Sequence, residues 1–246
     1  MISSERFGRA RACGRAPLCV AATVAAVLWC AGPLPAHVGS DLRLAALNER
    51  IAAAPRDPAL YLARGEIHRV RREWTRALAD YDRAAGLDPG NSAADLCRGR
   101  MWLEAGQAGR ARASLARFLQ RRPAHVAGRV LFARALAATG AHLAAARQLA
   151  EAIRRDPNPV PEHYLERAAA LAAAGPGHHE EALRALDDGI AKLGPLVTLE
   201  LAAIDLELAA GNKPAALRRL DRIAAQSERQ EPWASRRAEI LERAAP

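Results

Sequence analysis

The stretch ALADYDRAAGLDP, residues 77–89, is an amphipathic helical segment that runs into a proline. That proline belongs to a series, because Pro55, Pro89, Pro123 and Pro157 are each 34 residues apart. Proline has no backbone N–H and its ring clashes with the preceding helical turn, so each of these residues ends a helix. A constant interval of this length is typical of a protein built from repeated helical units.

Further positions fall into phase when the chain is aligned in rows of 34 residues. Small side chains recur at the eighth and twentieth positions, and bulky ones at the 24th. In rows 58–91, 92–125 and 126–159 these positions are Gly65, Gly99 and Ala133, then Ala77, Ala111 and Ala145, then Tyr81, Leu115 and Leu149. Two helices cross closely only where side chains are small, and bulky neighbours fill the space around the crossing. The pattern therefore predicts that helices pack closely at the same point of each row.

This pattern resembles the tetratricopeptide repeat (TPR), and the composition agrees, because Ala, Leu and Arg abound while aromatic residues make up only 4%. The resemblance implies an all-α, right-handed superhelical solenoid of antiparallel helix hairpins, with about five repeats and a flanking helix at each end. The expected units are a flanking helix in 37–57, repeats at 58–91, 92–125, 126–159, 160–196 (with a two-residue insertion) and 197–230 (degenerate), and a capping helix in 231–246. Glycine at the fifteenth position of rows two to five predicts a left-handed end to each first helix.

The first 36 residues have the features of a secretory signal peptide. A basic segment, MISSERFGRARACGRAP (1–17), precedes the apolar run LCVAATVAAVLWCAG (18–32), and Ala36 offers a small residue for cleavage. The run is shorter than the ~20 residues that a membrane-spanning helix needs. We therefore expect an exported protein of a bacterial periplasm, with secretion or N-terminal anchoring as alternatives. After leader removal we expect no membrane span. We also expect no internal disulfide, because Cys97 would be the single cysteine left in the chain.

The resemblance implies that the first helices line a concave groove that binds a protein or peptide. The candidate groove residues are Leu62, Glu66, Arg69, Leu96, Arg100, Leu103, Arg134 and Leu165. One subset of the family grips a C-terminal carboxylate with Lys and Asn, but Leu62 and Glu66 occupy those positions here. Three arginines along the groove favour an extended or helical ligand with acidic and apolar side chains. The alternative is that the arginines are simply solvated and the apolar positions pack between repeats.

Catalytic patterns are not recognisable, which predicts a protein that is not an enzyme and uses no cofactor. The sequence shows no Ser/His/Asp or Cys/His set and no glycine-rich phosphate loop. Cys97 falls inside a helix, where packing is the expected role. The alternative is an accessory metal-binding protein that uses His178, His179, Glu180 and Glu181 in an inserted loop. Adjacent histidines point in different directions, however, and a polar turn with acids at a helix start explains the same residues.

Two further partner classes follow from charge and from the degenerate fifth repeat. Four of the 36 basic and one of the 27 acidic side chains lie in the leader, so the remainder carries a net charge of +6. This surplus is modest and aromatic residues for base stacking are few, so we expect no nucleic-acid binding. In the fifth repeat, Ile204 stands where a small residue is expected. It could leave an apolar surface for self-association, although the sequence predicts no particular oligomeric state.

Overall fold

The computed structural model describes residues 38–227, 229 and 231–242, so the leader predicted for 1–36 lies outside the described residues. All regular structure in these residues is helical, which confirms the predicted all-α class. The helices are α1 Val38–Ala53, α2 Pro58–Val70, α3 Trp74–Leu87, α4 Ala93–Glu104, α5 Ala108–Arg121, α6 Val126–Ala138, α7 His142–Arg155, α8 Pro161–Ala173, α9 His179–Leu193, α10 Val197–Ala209, α11 Lys213–Ala225 and α12 Glu231–Glu242. A 3₁₀ turn, Pro176–His178, precedes α9.

The chain divides into two compact units, Met1–Ala45 and Ala46–Pro246. In the first unit, the described residues form the start of α1, and Leu42 is exposed there. The second unit is a helical solenoid of five hairpins, in which α2 packs on α3, α4 on α5, α6 on α7, α8 on α9, and α10 on α11. Helix α12 then packs on α11. None of the described helices has the length and apolar character needed to cross a membrane.

The first two hairpins close where the sequence places their small residues. A Cβ atom on Gly65 would lie 2.6 Å from a ring carbon of Tyr81, and one on Gly99 would lie 2.4 Å from Cγ of Leu115. Both distances are far below van der Waals contact, so only glycine fits at these crossings. Since Tyr81 and Leu115 occupy the 24th position of their rows, the predicted pairing of a small residue with a bulky one is confirmed.

The turns inside the hairpins follow the predicted glycine pattern in the second, third and fifth repeats, whereas Gly175 of the fourth has φ 120° and ψ 169°, outside the left-handed helical conformation. Gly106, Gly140 and Gly211 have positive φ angles of 72°, 79° and 76°, as expected for left-handed helix ends. In the first repeat the equivalent residue is Arg72, with φ 59°. An L-residue with a side chain is strained in this conformation.

The prediction that Ile204 leaves an apolar surface is wrong. Ile204 is completely buried, in a cluster with Leu220, Ile223 and Ile240. Ile240 belongs to α12, so the capping helix supplies side chains that cover the fifth repeat. A large residue at this position therefore fills the core of the last hairpin and is not presented to solvent.

Candidate partner-binding groove

The first helices of neighbouring hairpins form one layer of the solenoid unit. Contacts join α2 to α4, α4 to α6, and α8 to α10. Among the described residues, the extensive contacts between α-helices that are not consecutive all belong to this layer. The first helices are thus the more crowded side of the stack, and we refer to their solvent-facing surface as the inner face. The candidate groove residues all belong to α2, α4, α6 and α8.

Glu66 is the centre of a polar network on the first two repeats. Its carboxylate accepts a hydrogen bond from the Tyr81 hydroxyl at 2.7 Å and from Arg69 Nε at 3.0 Å, and Arg100 Nη1 approaches it at 3.5 Å. Arg69 Nη1 also donates to Glu104 Oε2 at 2.6 Å, across to the next repeat. The two repeats are therefore linked through charged groups on the inner face.

These contacts change the interpretation of the three arginines that the sequence analysis assigned to the groove. Arg69 lies between Glu66 and Glu104, Arg100 faces Glu66, and Arg134 pairs with Glu166 at 2.7 Å. The predicted basic stretch is therefore neutralised by carboxylates of the same face. The sequence did not reveal this because two of the partners belong to the following repeat, more than 30 residues away.

Cys97 lies beside the same network and is a packing residue. Burial, together with the charge of Glu66 and a hydrogen bond to it, raises the pKa of the Cys97 thiol to about 12. Burial, followed by the hydrogen bond that its own hydroxyl donates to Glu66, also raises the pKa of Tyr81. A neutral thiol is a poor nucleophile and a poor metal ligand. This environment agrees with the role expected for Cys97 from its helical position.

The leucines predicted for the groove lie half-buried against the core. Leu62, Leu96 and Leu103 pack on the cluster around Tyr81, Met101 and Leu115, and Leu165 packs on the cluster of the third and fourth repeats. Their side chains mainly fill space between helices, as the alternative interpretation of the apolar positions supposed. They offer little apolar surface to a ligand.

A larger opening lies between α6 and α8. Among the described first helices, this is the successive pair without extensive contacts. It is a pocket of about 510 Å³, which we call the α6–α8 cleft. Six alanines line it: Ala133, Ala137, Ala138, Ala169, Ala170 and Ala173. The buried Leu149 of α7 contributes to its base, and Arg134, Glu166 and His142 add polar atoms. The volume falls in the range of small-ligand sites and side-chain pockets in proteins.

The cleft arises from side-chain size along the repeat. The twelfth and thirteenth positions hold Arg69 and Val70 in the first row and Leu103 and Glu104 in the second. In the third row both are alanine. Alanine also lines the facing side on α8, so no long side chain bridges the two helices at this level. The sequence carried this signal, but Glu166 and His142 were not among the predicted site residues.

The metal-binding alternative rests on four side chains that the structure does not bring together around one point. Only His178 lies in the turn, because His179, Glu180 and Glu181 form the first turn of α9 and not an inserted loop. His178 Nδ1 is 3.8 Å from Glu181 Oε2, while His179 Nε2 is buried without a hydrogen-bond partner. Within the described part of the chain, no three such side chains converge as a metal site would require.

Comparison with known proteins supports the fold. No protein-family model and no curated protein matches the sequence. Among solved structures, one of MamA superposes with a TM-score of 0.62 at 16% identity, covering 78% of this chain and 100% of that one. YrrB, described as a TPR protein with an unusual peptide-binding site, has a TM-score of 0.62 at 19% identity, covering 78% and 98%. Yeast Tom70 covers 89% of this chain at 13% identity and a TM-score of 0.55, but the match spans only 46% of Tom70. The chain thus has a TPR-like fold.

Proposed function

We propose that this protein is a non-catalytic interaction scaffold that binds a segment of another protein on its inner face. The α6–α8 cleft carries the proposal, because it is an open and mostly apolar pocket. Elsewhere on the inner face, the residues predicted for the groove are packed against the core or ion-paired. Pockets with mostly apolar walls and a few polar groups at the edge are typical of binding sites. The structural similarity to YrrB, a TPR protein with an unusual peptide-binding site, points in the same direction.

The chemistry of the inner face supports binding over catalysis. Its carboxylates are engaged by arginines, and the Cys97 thiol is held in its neutral form by burial. Catalytic sites usually present an acid, base or nucleophile whose pKa suits proton transfer near neutral pH. On this basis we assign the protein no reaction and no cofactor.

Site-specific photo-crosslinking in cells that produce the protein tests the proposal. A photoreactive amino acid is placed at Val70, Ala138 or Ala173 on first helices, and, as matched controls, at Arg112 or Arg147 on second helices; all five residues are exposed. We expect one protein adduct of the same identity from the first-helix positions and none from the second-helix positions. Adducts from Arg112 and Arg147 alone, or no adduct at all, would contradict the scaffold role.

We further propose that the scaffold works outside the cytoplasm, in the cell envelope. The support is the basic and apolar organisation of residues 1–36. Fusing these residues to a reporter enzyme that folds only after export tests this. We expect reporter activity, and N-terminal sequencing of the exported protein should begin at His37. An inactive fusion would place the scaffold in the cytoplasm.

A further inference from the structure

The α6–α8 cleft is elongated along its walls. On α8 its lining runs from Glu166 to Ala173, which at 1.5 Å per residue is about 10 Å, or two helical turns. A second recess of about 330 Å³, lined by the turn between α6 and α7 and by the end of α8, shares His142 and Ala173 with it. The exposed Leu143 lies along this extension. The apolar track is therefore longer than a single side chain requires.

The walls of the cleft favour an occupant whose backbone needs no outside partners. Alanine side chains donate and accept no hydrogen bonds, and the polar groups at the cleft are limited to Arg134, Glu166 and His142. An extended peptide laid here would leave many N–H and C=O groups facing methyl groups, which is costly. A helix satisfies its own backbone, and small residues on the walls let it approach closely.

The edge of the cleft carries an unused hydrogen-bond donor. Arg134 binds Glu166 through Nε, at 3.1 Å, and Nη2, at 2.7 Å. Its Nη1 donates no hydrogen bond to any described residue, and about half of the side chain is exposed. Both carboxylate oxygens of Glu166 already accept from Arg134. The pair can therefore still donate to an acceptor, and an acidic side chain at this edge gains a charge-assisted hydrogen bond.

From these observations we infer that the α6–α8 cleft binds an amphipathic helix of the partner. The helix buries two aliphatic side chains one turn apart, at i and i+3 or i+4, and presents an acidic residue to Arg134. This inference rests on the proposed scaffold function and names the kind of segment that the scaffold takes. Helix-in-groove recognition of this kind draws its affinity from the buried apolar anchors and its register from the polar contact.

A displayed library of random 20-residue peptides, selected against the purified protein, tests the inference. We expect enriched peptides to carry two aliphatic residues three or four apart together with an Asp or Glu, and to become helical when bound. Ala169→Leu fills the cleft at an exposed position and should weaken their binding at least tenfold. Ala113→Leu, the same change at an exposed position of the second helix α5, should leave binding unchanged. Arg134→Gln should weaken only the peptides that contain the acidic residue.

The outcomes separate the inference from the function on which it rests. Peptides that bind Ala169→Leu as tightly as the wild type, or that bind in an extended form, would overturn the helix-in-cleft inference while leaving an inner-face scaffold intact. A selection that enriches no amphipathic helix would also overturn it. The scaffold function itself fails only if the first-helix positions in the cross-linking experiment give no adduct.

Discussion

At the scale of single residues, the position that ends each first helix shows how a repeat tolerates one departure from its pattern. Gly106, Gly140 and Gly211 have positive φ angles there, whereas the first repeat places Arg72 in the same conformation. Glycine adopts it without a steric penalty, but a residue with a Cβ does not. The first hairpin therefore carries backbone strain that the others lack.

Exchanging the residue types at this position should move stability in opposite directions. We expect Arg72→Gly to stabilise the protein by about 1 kcal/mol and Gly106→Ala to destabilise it by a similar amount. No atom lies within 4 Å of the position that a Cβ on Gly106 would occupy, so the second change tests the backbone alone. Urea denaturation of the two variants measures both effects. A neutral Gly106→Ala would contradict the assigned conformation.

The environment of Cys97 predicts a thiol that resists alkylation. Because burial beside Glu66 raises the pKa from 9.0 to about 12, the reactive thiolate is scarce at pH 8. We expect iodoacetamide to modify Cys97 at least ~100-fold more slowly in the folded protein than in urea. The folded rate should still be rising above pH 9, where an ordinary thiol levels off. Mass spectrometry of the Cys97 peptide follows both rates, and equal rates would show that the thiol is exposed.

At the scale of elements, hairpin closure depends on pairs of residues on facing helices. The Gly99 position of α4 lies so close to Leu115 of α5 that a single methyl group would overlap the side chain. Leu115 is completely buried and cannot move into solvent. This contact therefore sets the distance between α4 and α5, and the surrounding side chains pack at the spacing that it imposes.

Adding that methyl group should destabilise the second hairpin. We expect Gly99→Ala to cost about 1–3 kcal/mol, and the double variant with Leu115→Val to cost less than the sum of the two single changes. Gly86→Ala is the control, because nothing lies within 4 Å of its added Cβ in α3. Because alanine has a higher helix propensity than glycine, Gly86→Ala should stabilise the protein by about 0.5–1 kcal/mol. Thermal denaturation compares the four variants with the wild type, and additive costs would disprove the contact.

At the scale of the whole molecule, each repeat is stabilised by its contacts with neighbouring repeats. Most of the buried apolar side chains fall into three clusters that cross repeat boundaries. One covers the first two repeats and includes Ala135 of the third, one covers the third and fourth and includes Leu199 and Ala203 of the fifth, and one joins the fifth repeat to α12. In such a stack, stability is a sum of local terms and nearest-neighbour contacts. A defect at the C-terminal end should therefore loosen the last repeat first and leave distant repeats intact.

Ile240→Ala tests this independence. Ile240 is 1% exposed, so the change should cost about 2–5 kcal/mol and speed hydrogen exchange in α10–α12 but not in α2–α5. The adjacent Leu241 is 58% exposed, and Leu241→Ala should change stability by less than about 0.5 kcal/mol. If exchange in α2–α5 accelerates equally in Ile240→Ala, the solenoid unfolds as one cooperative unit and the prediction is wrong.

The amino-acid sequence by itself determined the elements and their pairing, because these depend on local and periodic properties. Proline at 34-residue intervals ends the second helices, glycine at the fifteenth position ends the first ones, and Gly65 and Gly99 mark where helices cross. Each signal lies within one row and needs no knowledge of distant residues.

Only the tertiary structure decided what the inner face offers to a partner. Arg69 and Arg134 looked like free cations until Glu104 and Glu166 of the following repeats were found beside them. Ile204 looked exposed until Ile240 was found to cover it. The alanines of the third and fourth rows were found to line a cleft only once α6 and α8 proved to be separated. Charge neutralisation, burial and cavity shape depend on which side chains of different repeats contact one another. The periodic pattern of the sequence does not specify those contacts.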